Sequence, residues 1–162
     1  GTLVAKLLYP DTDIIQHAGI TNLRVGPAHK LQFAHDTEDH YFGQNRGVHD
    51  MLGVTGACLL VKKTIFEKAG GFDETLAVAF NDVDLCMKVR SKGYLVVYDA
   101  FSQWYHYESK SRGYEDTPEK QLRFKGEIET FQSKWQKELD EGDPYYNRNF
   151  PMTTEAYVLA SE

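Results

Sequence analysis

No stretch of this chain approaches the ~20 consecutive apolar residues that a membrane-crossing helix requires. Its start, Gly1-Thr2-Leu3-Val4, also lacks the charged region and apolar core of a secretion signal. The sequence therefore predicts a soluble chain without a membrane span, with any anchor lying outside it. Cysteine is scarce: Cys58 and Cys86 stand far apart, each in apolar surroundings. That usage reads as buried thiols of a reducing compartment rather than as a disulfide. Positive charge is short as well, with 18 Lys and Arg against 24 Asp and Glu, a net charge of −6 and no long basic run. A nucleic-acid footprint is not expected on that ground, and the acidic balance speaks for solubility alone. Internal repeats are missing too. What remains is 162 residues that are 41% hydrophobic and 13% aromatic, enough for one sizeable core and one domain.

The pattern along the chain predicts an α/β fold. Leu3 to Tyr9 is a mostly apolar run ending at Pro10, as a buried strand would, and Asp11-Thr12-Asp13 turns it toward a short hairpin partner over Ile14 to Gly19. From about 34 to 53 the composition shifts to His, Asp, Gly and Asn, which predicts a long mobile loop or a poorly regular helix. Val54 to Val61 reads as a second buried strand. Thr64-Ile65-Phe66-Glu67 matches a capping box that opens a short helix closed at Gly70 or Gly71. A helix over Asn81 to Arg90 stops at Gly93. Tyr94 to Tyr98 gives a third strand, and Phe101 to His106 is aromatic and strand-like. Thr117-Pro118 opens a long helix whose Phe124, Ile128, Phe131, Trp135 and Leu139 recur at helical spacing, a core-packing stripe. The tail after Asp143 has no regular pattern.

Asp82 is the residue that most asks for a chemical explanation. At about 100° per residue, positions 82, 85, 86 and 89 share one helix face, so its carboxylate is in register with Leu85, Cys86 and Val89. A carboxylate on an apolar face costs several kcal/mol, on the order of a lost buried ion pair, unless it meets a partner, a metal or a substrate. Asp82 is thus a candidate general base, set against the plainer reading of an acidic residue favoured by the helix dipole. Asp84 faces away from that stripe and is spaced to pair with Lys88. His35, Asp36, Asp39 and His40 fit no metal-site template and read as a solvated loop.

The ordered set Tyr9-Pro10-Asp11 with Gln16-His17-Ala18-Gly19, Thr55-Gly56-Ala57-Cys58, Gly70-Gly71-Phe72-Asp73, Asn81-Asp82-Val83-Asp84-Leu85-Cys86 and His106-Tyr107-Glu108-Ser109 resembles glycosyltransferase family 2, particularly its bacterial rhamnosyltransferase-like members. The resemblance runs from residue 2 to about 150, including Asp143-Pro144-Tyr145-Tyr146-Asn147. It implies that 1–150 is the C-terminal, acceptor-side part of a GT-A (Rossmann-like) domain with flanking helices and a long C-terminal helix, followed by an irregular tail over 151–162. The family's nucleotide-binding turns and metal-binding Asp-x-Asp would lie upstream. Asp11-Thr12-Asp13 has the right letters in a hairpin turn, and Asp82-Val83-Asp84 has them on a helix, where the two carboxylates lie about 200° apart and cannot chelate one ion.

Residue by residue, the resemblance implies Asp82 as the catalytic base of an inverting transfer, with Asn81 where the family often has Glu. It places a functional histidine at His106, ligating the metal or bonding the diphosphate. Asp84 is kept as a secondary site residue, and Ser109 and Arg112 are positioned to hold phosphate oxygens. Gly56 and Ala57 would line the acceptor cleft, and Trp104 or Tyr105 would either stack on a sugar ring or pack in the core. The expected cofactor is a divalent cation, Mn²⁺ or Mg²⁺, in the full enzyme but not retained by this portion. The expected partners are a nucleotide-sugar donor, bound through the upstream half, and a glycan or lipid-linked acceptor. The resemblance sets the enzyme in the cytoplasm, at the inner face of the membrane, making surface polysaccharide, with the isolated portion inactive. Two alternatives stand beside it: a non-catalytic carbohydrate-binding or scaffolding module, and a metal-dependent hydrolase using the His-rich loop.

Overall fold

The computed structural model describes residues 1–23, 26–107, 117–155, 157 and 159. Its frame is a mixed sheet built on β1 (Thr2–Leu8), the apolar run that the sequence marks as a buried strand. β1 runs parallel to β7 (Val96–Tyr105), the only parallel pairing in this sheet among the described residues. Its other edge is shared: β6 (Leu59–Val61) pairs with the first half and β2 (Ile15–His17) with the second, both antiparallel. β5 (Val48–Asp50) closes the far side of β7. A separate hairpin joins β3 (Ile20–Leu23) to β4 (Gly26–His29). The architecture is α/β, with α1 (Lys63–Ala69), α2 (Asn81–Ser91) and the long C-terminal α3 (Pro118–Glu141) around the sheet.

Several elements differ from the sequence expectation for physical reasons. Only Leu59–Val61 of the run from Val54 is strand; Gly56–Cys58 winds into a 3-10 turn whose first amides are met by the Thr55 hydroxyl, at Ala57 N, and by Asp82. α1 begins at Lys63 without a side-chain cap, so Thr64 lies inside the helix instead of capping it; Gly70 ends it in the left-handed conformation at φ 83°, as expected. The third strand and the aromatic segment merge into one ten-residue strand, β7, interrupted by a bulge where the pairing jumps from Ala5↔Asp99 to Lys6↔Gln103. Trp104 and Tyr105 at its end are 61% and 57% exposed, so neither packs in the core.

The segment over 34–53 carries β5 and is bonded to the sheet through Lys6. Lys6, a buried charge in an otherwise apolar strand, places its ammonium 2.7 Å and 2.8 Å from the two Asp36 carboxylate oxygens. The fully buried Asn45 amide donates to the Asp36 and Glu38 carbonyls and to Asp36 Oδ1, while its oxygen accepts from His40 N. A buried charge this well partnered ties the loop down, because removing either partner would strand the other.

α2 lies between two hydrophobic clusters. Leu85, Cys86 and Val89 face the sheet with Val4, Leu8 and Tyr98, as the periodicity predicts. Val83 and Met87 face α3, against Phe131 and Trp135. Because the helix has a second buried face, Asp84 is not solvent-facing: it is fully buried and accepts the Trp135 indole N–H at 2.9 Å. The predicted pairing with Lys88 exists at 2.8 Å, joined by Lys134 at 2.7 Å, inside the protein rather than on its surface. α3 starts as expected, with the Thr117 hydroxyl capping Lys120 N and Pro118 in the first turn, and it leaves helical geometry at Trp135 (φ −118°, ψ 17°). After α3, Tyr146 and Phe150 form a third cluster with Leu23.

Candidate functional site

A cleft of about 650 Å³ opens beside the carboxyl end of the parallel β1–β7 pair. Open α/β sheets bind ligands at that end, because the strands stop there and the following loops diverge. β2 brings Gln16 and His17 to the cleft, β4 brings His29, the 3-10 turn brings Gly56 and Ala57, and α2 brings Asn81 and Asp82. His106 arrives on the residue after β7, its backbone N–H donating to Leu8 O at 3.1 Å. Of the residues singled out in the sequence, Asp82, Asn81, Gly56, Ala57 and His106 therefore meet in one place. Asp84 and Trp104 do not line it. Ser109 and Arg112 lie outside the described residues.

Asp82 is half-buried at the first turn of α2 and is fixed by two backbone amides. Gly56 N–H donates to Oδ2 at 2.7 Å and Val83 N–H to Oδ1 at 2.8 Å. An ionised carboxylate offers about four lone-pair directions, so each oxygen keeps one to receive a hydroxyl. Gly56 is small for a reason that the geometry supplies: a Cβ there would stand 3.3 Å from Asp82 Cβ and 3.6 Å from its Oδ2. The turn can approach the carboxylate this closely because it carries no side chain at that point.

The approach to α2 is itself held by a residue that sequence reasoning passed over. Phe80, just before the helix, adopts a left-handed φ of 62°, a conformation that costs on the order of 1 kcal/mol for a non-glycine residue and needs surrounding support. That support comes from α3. Glu127, 3% exposed, accepts Val78 N–H at 3.1 Å and Ala79 N–H at 2.8 Å, and Phe80 stacks on Phe124 and Phe131. The signal was present: Glu127 sits three residues after Phe124 and four before Phe131, a carboxylate on the apolar stripe.

The histidines differ in depth. His17 is fully buried, and burial drives its pKa well below the ordinary 6.5, with the neighbouring His29 adding to the effect. Thr55 N–H donates to its Nε2 at 3.3 Å, and its Nδ1 lies 3.1 Å from His29 Nδ1. His106 Nδ1 lies 2.8 Å from Gln16 Oε1. In the loop, His35 contacts Asp13 and His40 contacts the His35 carbonyl, while Asp36 is taken by Lys6. No group of three or more His, Cys, Asp or Glu side chains is arranged to hold a metal among the described residues. Both cysteines are free thiols. No helix among the described residues is long and apolar enough to cross a membrane.

No family model matches the chain, and no solved structure matches it. It is 42% identical over 163 residues to the uncharacterized protein y4gI of Sinorhizobium fredii, an alignment that takes in 99% of this chain and 18% of that protein. To the O-antigen biosynthesis protein RfbC of Myxococcus xanthus it is 32% identical over 157 residues, 94% of this chain and 12% of the relative. A shorter stretch of 60 residues, 37% of this chain and 20% of the relative, is 37% identical to the N-acetylglucosaminyl-diphospho-decaprenol L-rhamnosyltransferase of Mycobacterium tuberculosis. The chain thus spans a fifth or less of the length of these curated relatives, and it is similar to segments of proteins named for O-antigen biosynthesis and for rhamnosyl transfer.

Proposed function

We propose that this chain is the acceptor-binding and catalytic-base portion of an inverting glycosyltransferase of family 2, moving a sugar from a nucleotide-diphosphate donor to a hydroxyl in surface-polysaccharide synthesis. The observation that supports this most is the Asp82 carboxylate, clamped by the Gly56 and Val83 amides on the wall of a cleft that also holds His106. The names of the relatives point the same way.

In this reading the acceptor hydroxyl donates to a free lone pair of Asp82. As its oxygen bonds to the anomeric carbon, the carboxylate takes the proton and the bond from that carbon to the departing diphosphate breaks. The two amides matter because they stop the carboxylate from rotating away from the hydroxyl. Gly56 and Ala57, without bulky side chains, let the acceptor ring approach the turn, and Asn81 offers an amide beside the base. Asp84 acts from behind, anchoring α2 to α3. A divalent cation, Mn²⁺ or Mg²⁺, would neutralise the leaving diphosphate. The donor set fits only partial coordination by this chain, with His106 as the imidazole ligand and the remaining positions left to phosphate oxygens and the upstream half. The full-length enzyme would work in the cytoplasm at the inner face of the membrane, where a lipid-linked or glycan acceptor is within reach.

The test is Asp82→Asn in the full-length protein. A positioned general base contributes about 10²–10⁴ in rate, so turnover should fall by that factor while donor affinity measured by titration stays unchanged. Normal turnover in the variant refutes the base assignment. Glycan binding by residues 1–162 alone, with a full-length protein that shows no transfer, would favour a carbohydrate-binding module instead.

A further inference from the structure

The Gln16-His17 pair belongs to the motif set of the sequence, yet the transfer chemistry leaves it without a task. Both side chains are almost completely buried, at 3% and 0% exposure, and both reach the cleft. Each contacts a different histidine of the cleft, and the direction of each contact can be deduced from groups whose roles are fixed.

Gln16 makes two contacts with one residue. Its Nε2 lies 3.4 Å from the His106 carbonyl oxygen and its Oε1 lies 2.8 Å from His106 Nδ1. A carbonyl oxygen only accepts, so the amide nitrogen must face it; turning the amide over would set two oxygens against each other. The remaining Gln16 atom, Oε1, is then an acceptor, and His106 Nδ1 must carry a hydrogen. In the neutral ring this leaves the lone pair on Nε2.

His17 runs the opposite logic. Thr55 N–H is a donor, so His17 Nε2, at 3.3 Å, must accept. The neutral ring therefore holds its hydrogen on Nδ1 and donates it to His29 Nδ1 at 3.1 Å. His29 Nδ1 is thereby an acceptor, and its own hydrogen sits on Nε2. A doubly protonated His29 would confront one Nδ1–H with another.

We propose that Gln16 and His17 are positioning residues that set opposite tautomers on the two flanking cleft histidines, so that His106 presents a bare Nε2 and His29 presents an Nε2–H. The two rings then do different work at a substrate carrying sugar hydroxyls and phosphate oxygens. His106 offers the form that coordinates a divalent cation or accepts from a hydroxyl. His29 carries its hydrogen on Nε2, a donor form that cannot coordinate a cation through that nitrogen. Orientation of an imidazole by a partner on its second nitrogen is the general means by which proteins choose between these forms. The functional meaning rests on the transferase reading, but the tautomers themselves do not.

The experiment is long-range ¹H–¹⁵N correlation on the ¹⁵N-labelled chain, which separates protonated from bare ring nitrogens without substrate, metal or turnover. The expected spectrum shows His106 protonated at Nδ1 and bare at Nε2, and His29 the reverse. In Gln16→Leu the His106 ring should lose its fixed assignment and average between tautomers while His29 is unmoved. Gln16→Glu should keep the hydrogen on His106 Nδ1, since a carboxylate oxygen replaces Oε1 as its acceptor. A residue that merely packs would tolerate Leu better than Glu, so a His106 assignment kept in Gln16→Leu and lost in Gln16→Glu overturns the proposal. An Nε2–H on His106 in the unmutated chain overturns it too, and that spectrum is available even if a variant fails to fold. A chain with the expected tautomers that transfers no sugar in its full-length form would refute the function while leaving this inference standing.

Discussion

Replacing Asp84 with Ala should destabilise the protein severely without touching the cleft. The carboxylate is fully buried and holds three groups together: the Trp135 indole at 2.9 Å, Lys134 at 2.7 Å and Lys88 at 2.8 Å. Its removal leaves the indole N–H, on a residue only 8% exposed, without its acceptor, and leaves Lys134 to Asp73 and Lys88 to the Gly71 carbonyl alone. Stranding a buried polar group costs about 1–3 kcal/mol, and breaking a buried charge pair about 3–5 kcal/mol. Lys88 and Lys134 side chains retain 17% and 31% exposure and can turn outward, so the total should fall near ~3–4 kcal/mol, at the low end of the charge-pair range. For a chain of this size each kcal/mol moves Tm by about 2–4 °C, which gives a drop of ~6–16 °C. Asp84→Asn keeps an oxygen for the indole and should lose about half as much. Urea unfolding followed by tryptophan fluorescence reads both variants, and Trp135 reports directly. A loss below about 0.5 kcal/mol for Asp84→Ala, within the ordinary range for surface substitutions, would refute the account of a buried anchor.

Glu127→Ala frees the Val78 and Ala79 amides and should cost about 1–3 kcal/mol, because α2 and with it Asp82 lose their brace; on the transferase proposal, turnover of the full-length protein should fall as well, and unchanged stability would count against that brace. Cys86 is buried, and desolvation pushes its thiol up to about 12, so a thiol reagent at pH 8 should label the half-buried Cys58 in the native chain and both cysteines only after unfolding. Equal labelling of both under native conditions would show that α2 is not seated as described. His17 is held neutral by burial, with a folded pKa well below its unfolded 6.5. As pH falls through 6.5 the unfolded chain gains a proton that the folded chain refuses, so stability is full above that value and declines below it by up to about 1.4 kcal/mol per pH unit. His17→Gln should flatten that part of the profile, and an unchanged slope would mean that His17 protonates freely in place.

The helices were legible because their signals are local. Thr117-Pro118 starts α3 and the stripe from Phe124 buries Phe131 and Trp135, as spacing alone implies. The place of Asp82 in the first turn of α2 was legible for the same reason. Asp84, two residues on, was misread because one apolar stripe was assumed where α2 has two buried faces, and no window within the helix reveals that α3 returns to cover the second. The 3-10 turn at Gly56 was hidden by the β-like composition of Val54 to Val61, and its conformation depends on the Asp82 carboxylate twenty-six residues away. Loop 34–53 reads as polar and irregular, and its order comes from Lys6 in β1, a contact that propensity cannot foresee. Gln16 and His17 could be noticed as a motif, but their tasks became visible only when β2 was set beside His106 and Thr55.

The central parallel pairing of Thr2–Leu8 with Val96–Tyr105 has a consequence for biosynthesis. The ribosome adds about 5–20 residues per second, so the apolar β1 emerges several seconds before its partner exists. During that interval Val4, Leu7 and Leu8 can be sheltered only by the antiparallel neighbours β2 and, later, β6. Slow closure of such distant contacts makes the nascent chain a natural client for chaperones and a candidate for inclusion bodies when overproduced. Lowering the temperature of overproduction should raise the soluble yield.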